Sequence, residues 1–198
     1  MNKKDFAKYI DVFLDQNSKL NLISKNDEKY LWEKHIFDSL AIEKFFEKYF
    51  KEFPNGVTLL DIGTGGGFPS VPIALKYKNI EVYGLDSIRK KINAIENMKA
   101  ELDIKNLHTI CDRAENIKEK FDIITSRAVA KLDKIANYAL PLLKNGGYFV
   151  AYKSIKTQEE INDAKNILKK NKAEIIDVIE YNLPLEENFV RNLIVIKK

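Results

Sequence analysis

Residues 59–69 read Leu-Leu-Asp-Ile-Gly-Thr-Gly-Gly-Gly-Phe-Pro and hold four of the chain's eight glycines. No other feature constrains the fold as tightly. The apolar run Val57–Ile62 reads as a strand buried on both faces, and a helix to about Tyr77 follows the glycines. Glycines at such a junction let the backbone come close to a ligand and take φ > 0. A loop that leaves a buried strand and enters a helix also points backbone N–H groups at that ligand.

The spacing discriminates among ligands. A dinucleotide fingerprint needs a third glycine where this chain has Phe68 or Ser70, and no P-loop motif is present. What remains is acidic–x–G–x–G–x–G, with Asp61 two residues before Gly63. An acid so placed suits a cationic or zwitterionic ligand, such as the amino-acid part of S-adenosylmethionine (AdoMet). Asp86 closes the second predicted strand, where an acid can take two ribose hydroxyls, cap the next helix, or do both. The Gly63–Gly67 backbone, with Gly65 at its middle, and Asp86 are therefore the expected cofactor cradle.

The alternation continues downstream. Strands are predicted at Ile80–Leu85, Leu107–Cys111, Phe121–Thr125 and Tyr148–Lys153, and helices at Ser87–Leu102, 131–143 and Thr157–Asn171. Ile88, Ile92, Ile95 and Met98 form the apolar face of the first of these helices, and Gly146-Gly147 would help to end the second. The last two strands, Ala173–Tyr181 and Phe189–Lys197, have only a short loop with Pro184 between them, so they should pair antiparallel. The pattern predicts an α/β fold of the Rossmann-like, class I AdoMet-dependent methyltransferase type. Its seven-stranded, mostly parallel sheet would end in a C-terminal antiparallel hairpin and bind ligands at the carboxyl ends of the central strands.

Residues 1–55 read as an N-terminal helical cap, and 56–198 as the methyltransferase domain. Phe6, Ile10, Phe13 and Leu14 stripe a helix over 2–16, and the pattern breaks from Asn17 to Lys25. A second helix, capped by Asp27, should run to about Tyr49 with Trp32, Ile36 and Leu40 as its ridge. Pro54-Asn55-Gly56 marks the turn into the sheet.

Composition narrows the class. With 45% apolar residues in 198, the chain can bury a core without a disulfide or structural metal. The single cysteine, Cys111, excludes an internal disulfide and a thiolate cluster. Two histidines, His35 and His108, lie too far apart in sequence to suggest a metal site. No apolar run is long enough to span a bilayer, and no leader-like segment opens the chain; a cytoplasmic monomer is expected. The net charge of +4 lies entirely beyond residue 55, giving a mildly basic body able to meet nucleic acid.

Absences narrow the methyl acceptor. Pyrimidine C5 methylation needs a cysteine nucleophile, and Cys111 falls within an apolar strand. Exocyclic amine methylation usually carries an [NDS]-P-P-[YF] loop, where this chain has Ser126-Arg127-Ala128. Ring nitrogens, ribose hydroxyls and small molecules remain. Guanine N7 already has a lone pair and needs no general base.

At these residues the chain resembles the bacterial 16S rRNA guanine-N7 methyltransferases, also called the glucose-inhibited division protein B (RsmG) family. Asn21-Leu22-Ile23-Ser24, His35-x-x-Asp38-Ser39, the glycine loop, Leu85-Asp86-Ser87, Ser126-Arg127-Ala128, Tyr152-Lys153 and Arg191–Ile196 carry the likeness. Ser70 and Ser154 stand where the family often has glycine. The resemblance implies AdoMet as cofactor and 16S rRNA, or the small ribosomal subunit, as partner. It also implies cofactor contacts at Gly63, Phe68, Ala114, Glu115 and Arg127.

Arg127, Lys153, His35 and Asp38 are the candidate catalytic residues. Arg113 and Arg127, two of only four arginines, end strands, where a planar guanidinium suits bidentate recognition. Arg127 and Lys153 can both point between cofactor and acceptor, and Lys153 has a rival role as the base of a ribose 2′-O-methyltransferase. His35, Asp38 and Ser39 share one helical face, either as a wall of the site or as a set that holds helices to the sheet. Two other readings stay open: a small-molecule or protein methyltransferase, and a non-catalytic nucleotide-binding module.

Overall fold

The computed structural model describes residues 2–50, 55–154, 157–186 and 189–198. Helices α1 (Ala7–Leu20), α2 (Lys25–Glu28), α3 (Asp38–Leu40) and α4 (Glu43–Tyr49) precede the sheet. Strands β1 (Val57–Ile62), β2 (Ile80–Leu85), β3 (Leu107–Ile110), β4 (Phe121–Arg127), β5 (Leu143–Lys153), β6 (Glu174–Asn182) and β7 (Val190–Lys197) form one sheet, ordered β3-β2-β1-β4-β5-β7-β6. The first five are parallel, and β7 lies antiparallel between β5 and β6. Helices α5 (Ser70–Lys76), α6 (Arg89–Glu101), α7 (Leu132–Leu142) and α8 (Thr157–Lys170) make the crossovers.

Side-chain alternation divides the core into two layers. Leu59, Val82, Ile123, Val150 and Val195 face one way, toward α5, α6 and the N-terminal helices. Leu60, Leu85, Ile124, Phe149 and Ile194 face the other way, toward α7 and α8. Both faces are therefore covered, which is why Val57–Ile62 is mainly apolar and buries even Asp61. Phe6, Phe13, Trp32, Ile36 and Leu40 join the first layer, so the cap shares one core with the sheet. The order of connection reverses between β1 and β4, and that switch point is where an open α/β sheet leaves a crevice.

Several boundaries differ from the sequence expectation. Helix α1 continues through Asn17 to Leu20 and stops at Asn21, whose φ of 50° is left-handed. Asn17 is buried instead of breaking the helix: its amide holds the next turn, accepting from Ile23 N at 2.8 Å and donating to Glu28 at 2.7 Å. The cap of α2 is Ser24, not Asp27, because Ser24 Oγ accepts from Asp27 N. The single helix expected to Tyr49 is broken into pieces, with a π-helical stretch at Leu31–Phe37. Ile88 precedes α6 and is exposed, whereas Ile92, Ile95 and Met98 are buried as expected. Gly146 and Gly147 lie inside β5 instead of ending α7, where the register against β4 slips. Cys111 falls just past β3 and is only partly buried. Pro54 lies outside the described residues.

Candidate active site

The glycine loop folds back on itself. The N–H groups of Gly63 and Thr64 donate to Leu85 O at 2.8 and 2.9 Å, and those of Gly67 and Phe68 donate to Thr64 O at 2.9 and 3.0 Å. Gly65 N donates to Asp86 Oδ2 at 3.0 Å. The expected cradle of free N–H donors is thus largely used internally, because the β1 and β2 ends are close enough to satisfy it. Such a loop suits a ligand that brings its own donors, as the ammonium of an amino acid does. Gly65 has φ +58°, and a Cβ built there meets nothing nearer than Gly63 O at 3.9 Å, so its open side has room for a ligand. Asp86 accepts from Gly65 N and from Ile88 N at 2.9 Å; it does not cap α6. A carboxylate has about four lone-pair sites, so capacity remains for ribose hydroxyls. These residues fit AdoMet.

Sheet order sets Ala114 and Glu115, in a one-turn helix after β3, on the far side of Asp86 from the glycine loop. Phe68 is 4% exposed and packs against Phe13 and His35 at 5.0 and 5.1 Å between centroids. Its ring belongs to the core, under the guanidinium of Arg127 at 5.3 Å. Ser70 is accommodated beneath the loop by bonding Thr64 Oγ1 at 2.5 Å.

Arg127, the last residue of β4, gathers the histidine and aspartate of the cap. Its Nη1 donates to Asp38 Oδ2 at 2.9 Å and to Lys34 O at 3.2 Å. Its Nη2 lies 3.2 Å from His35 Nδ1. A guanidinium only donates, so Nδ1 accepts and the His35 proton sits on Nε2. Asp38 takes a second bond from the Tyr181 hydroxyl at 2.6 Å, across to β6. Burial, then Asp38, raises the Tyr181 hydroxyl well above the ordinary range, which keeps it a donor. Ser39, predicted on the same face, turns away: its Oγ donates to His35 O, and its own carbonyl accepts from Tyr152 OH at 2.6 Å. The Ser39–His35 bond is a back-bond to the carbonyl four residues earlier, which keeps the serine hydroxyl on its own helix.

His35, Asp38, Arg127 and Lys153 all line one cleft of about 640 Å³ between the cap and the ends of β4, β5 and β7, a size suited to a nucleoside. Gly63, Gly65, Phe68, Asp86, Ala114 and Glu115 lie outside that cleft. The two regions meet where Val129 sits on Gly63: a Cβ there would come within 2.5 Å of Val129 Cγ2. Lys153 does not project freely. Its Nζ donates to Ala130 O at 2.7 Å and pairs with Glu160 Oε2 at 2.6 Å, and that oxygen also accepts from Leu132 N. Lys153 and Glu160 together pin the segment that carries Val129. His108 pairs with Glu81 and stacks on Tyr83, far from the cleft residues in role.

A buried carboxyl and a half-buried imidazole titrate in opposite senses. Burial pushes the Asp61 carboxyl up to about 6, although Thr64 and Thr125 bond to it. Burial, then the charge of Arg127, pushes His35 down to about 4, so its ring is neutral at physiological pH. The stability contributed by Asp61 is complete below its unfolded value near pH 4 and is lost as pH rises through 6. The contribution of His35 is complete above about pH 6.5 and is lost as pH falls through 4. The two slopes oppose each other between pH 4 and 6. Asp61→Asn should unmask the histidine: over that window its stability should climb with pH by about 2–3 kcal/mol more than the wild type's. Urea denaturation at pH 4.5, 5.5 and 6.5 measures this, and parallel slopes would mean that Asp61 stays ionised.

Sequence reasoning missed Tyr181, Glu160 and Val129, and gave Tyr152 no role of its own. Nothing in a strand pattern marks one tyrosine as a cross-sheet donor, because that role depends on β7 inserting between β5 and β6. Among the described residues, no helix is long and apolar enough to cross a membrane.

The seven-stranded sheet with its single antiparallel hairpin is the class I AdoMet-dependent methyltransferase fold. Magnesium protoporphyrin IX methyltransferase from Synechocystis PCC 6803, with bound SAM, matches it at TM-score 0.67 and 17% identity, over 89% of this chain and 86% of that one. TYW2 of M. jannaschii in complex with AdoMet matches at TM-score 0.59 and 20% identity, over 79% and 74%. At such identities the likeness is one of fold. Sequence comparison goes further. The family model GidB, described as rRNA small subunit methyltransferase G, matches residues 2–190. The ribosomal RNA small subunit methyltransferase G of Desulfitobacterium hafniense is 38% identical over 199 residues, covering 98% of this chain and 80% of its own. That of Lachnoclostridium phytofermentans is 36% identical over 201 residues, covering 98% and 81%.

Proposed function

The chain belongs to the GidB family of rRNA small subunit methyltransferases G, and from that premise we propose that it transfers a methyl group from AdoMet to N7 of a guanosine in 16S rRNA. The observation that carries the reading is the meeting of two regions at the β1/β4 switch point: a glycine loop open at Gly65, and a cleft walled by Arg127, His35 and Asp38. In this reading Gly63, Gly65, Asp86, Ala114 and Glu115 hold the cofactor, with Phe68 supporting the loop from below. Bound there, AdoMet supplies an electrophilic sulfonium methyl.

The chain's own residues then have positional work. N7 carries its lone pair, so no side chain needs to remove a proton. Arg127, fixed by Asp38, His35 Nδ1 and the Lys34 carbonyl, cannot rotate freely and presents a fixed positive charge at the edge of the cleft. A guanidinium there can hold guanine O6 and so line N7 up with the methyl group, which is catalysis by alignment. His35 and Asp38 act through Arg127 as positioning residues. Lys153 and Glu160 set the Ala130–Leu132 backbone and through it the wall between cofactor and acceptor. Residues 1–55 serve as a cap on the methyltransferase domain, 56–198, and the enzyme works as a cytoplasmic monomer.

The ribose 2′-O reading needs Lys153 as a base, yet its Nζ is engaged by Glu160 and Ala130 O. The test is transfer of labelled methyl from AdoMet to 16S rRNA of a strain lacking the enzyme, with cleavage chemistry to find N7-methylguanosine. The single-turnover rate should be nearly flat from about pH 6.5 to 9, since no base is required. A steep alkaline rise that vanishes in Lys153→Met would favour the ribose.

A further inference from the structure

The acceptor cleft does not end at Phe189. A second cleft of about 470 Å³ continues from it, and Lys34 and Phe189 line both. Its walls come from two separate places: Lys29, Tyr30 and Glu33 of the cap, and Pro184–Glu186 in the connection between β6 and β7. Phe189 is one of the few large apolar side chains left exposed, at 39%. Tyr30 has the ammonium groups of Lys29 and Lys34 at 4.9 and 4.6 Å from its ring centroid. The nearby acids are partly accounted for. Asp27 pairs with Lys34 at 3.1 Å, and Glu33 is drawn to Lys3 at 3.8 Å. Lys29 is exposed and has no carboxylate partner among the described residues.

We propose that this second cleft is a subsite for the unpaired RNA nucleotide next to the guanosine being methylated, its base stacked against Phe189 or Tyr30. The inference rests on reading the first cleft as the acceptor site. A guanosine turned into that cleft brings its neighbour over the shared wall at Phe189, and the cavity beyond is of a size to take one nucleotide. Unpaired bases are held by stacking on aromatic rings, and stacking tolerates any base because each has a π face. Lys29 lies on the rim, where a phosphate of the same nucleotide would pass. The subsite therefore recognises a single strand rather than a sequence, and it places affinity for RNA outside the methyl-transfer centre.

Steady-state methylation of small subunits from an enzyme-deficient strain tests this, using wild type, Phe189→Leu, Phe189→Tyr and Tyr30→Leu. Leucine keeps apolar bulk but has no π face. Phe189→Leu should raise KM for the subunit about tenfold or more, with AdoMet affinity changed less than twofold, and Phe189→Tyr should restore KM. Phe189→Leu and Phe189→Tyr behaving alike, with Tyr30→Leu also leaving KM unchanged, would overturn the stacking role. As a direct readout, 4-thiouridine placed beside the methylated guanosine should crosslink to a peptide containing Tyr30 or Phe189. Crosslinks only elsewhere, or crosslinks of Phe189 to a ribosomal protein, would overturn the nucleotide assignment. Failure of the wild type to methylate rRNA at all would instead defeat the reading of the acceptor site.

Discussion

Replacing Arg127 by methionine is expected to weaken the fold by about 3–5 kcal/mol, the usual cost of leaving one member of a buried ion pair alone, and to abolish measurable methyl transfer. Asp38 is only 7% exposed at its side chain and Arg127 15%, so the carboxylate left behind has little water to fall back on. Four groups lose an anchor at once: Asp38, His35 Nδ1, the Lys34 carbonyl and the face of Phe68. The double variant Arg127→Met/Asp38→Asn removes the orphaned charge and should recover most of the stability, while activity stays absent. That split matters, because it separates the structural share of the guanidinium from its role in the cleft. Thermal and urea unfolding of the four species in the cycle, with single-turnover methylation alongside, is the measurement. Full activity in the double variant would mean that Arg127 only holds the cap to the sheet.

The second large effect is expected at Gly65. Gly65→Val places a branched side chain into the open side of the loop, where the nearest atom to a Cβ is Gly63 O at 3.9 Å. The protein has room for it and the ligand does not. AdoMet affinity should fall at least a hundredfold by calorimetry. Stability should fall by only about 1–3 kcal/mol, the cost of holding a non-glycine residue at this positive φ. Gly65→Ala shares the backbone strain but adds only one carbon, so its affinity loss should be much smaller. Equal losses in the two variants would trace the effect to the backbone and not to occupied space, and unchanged affinity would remove this loop from the cofactor site.

Legibility differed from element to element. The limits of β1 and β2 were readable to the residue, because each is a mainly apolar run that stops at the residues of a loop, the glycines after Ile62 and Asp86 after Leu85. The antiparallel hairpin was readable from the lack of a helix between its strands. The cap was read less well. The pattern gave two helices, over 2–16 and from Asp27 to about Tyr49, but Asn17 stays in the first and spends its amide on the following turn, and the Leu31–Phe37 segment of the second widens to a π-helix. Local periodicity carries no record of a side chain that bonds to a distant backbone group.

The amino-acid sequence by itself determined the class of fold, the location of the glycine loop at a strand–helix junction, and the candidate set Arg127, Lys153, His35 and Asp38. These follow from interactions that repeat at short range: the two-residue period of strands, the conformational freedom of glycine and the apolar face of each helix. Only the tertiary structure decided which groups those candidates touch. It joined His35 and Asp38 to Arg127 across about ninety residues of chain, and it tied Lys153 to Glu160 where a free ammonium was expected. It also turned the loop N–H groups inward and brought Tyr181 from the far strand of the sheet onto Asp38. Hydrogen bonds and ion pairs of this kind depend on which strand ends lie side by side, and that is set by the order of the strands across the sheet.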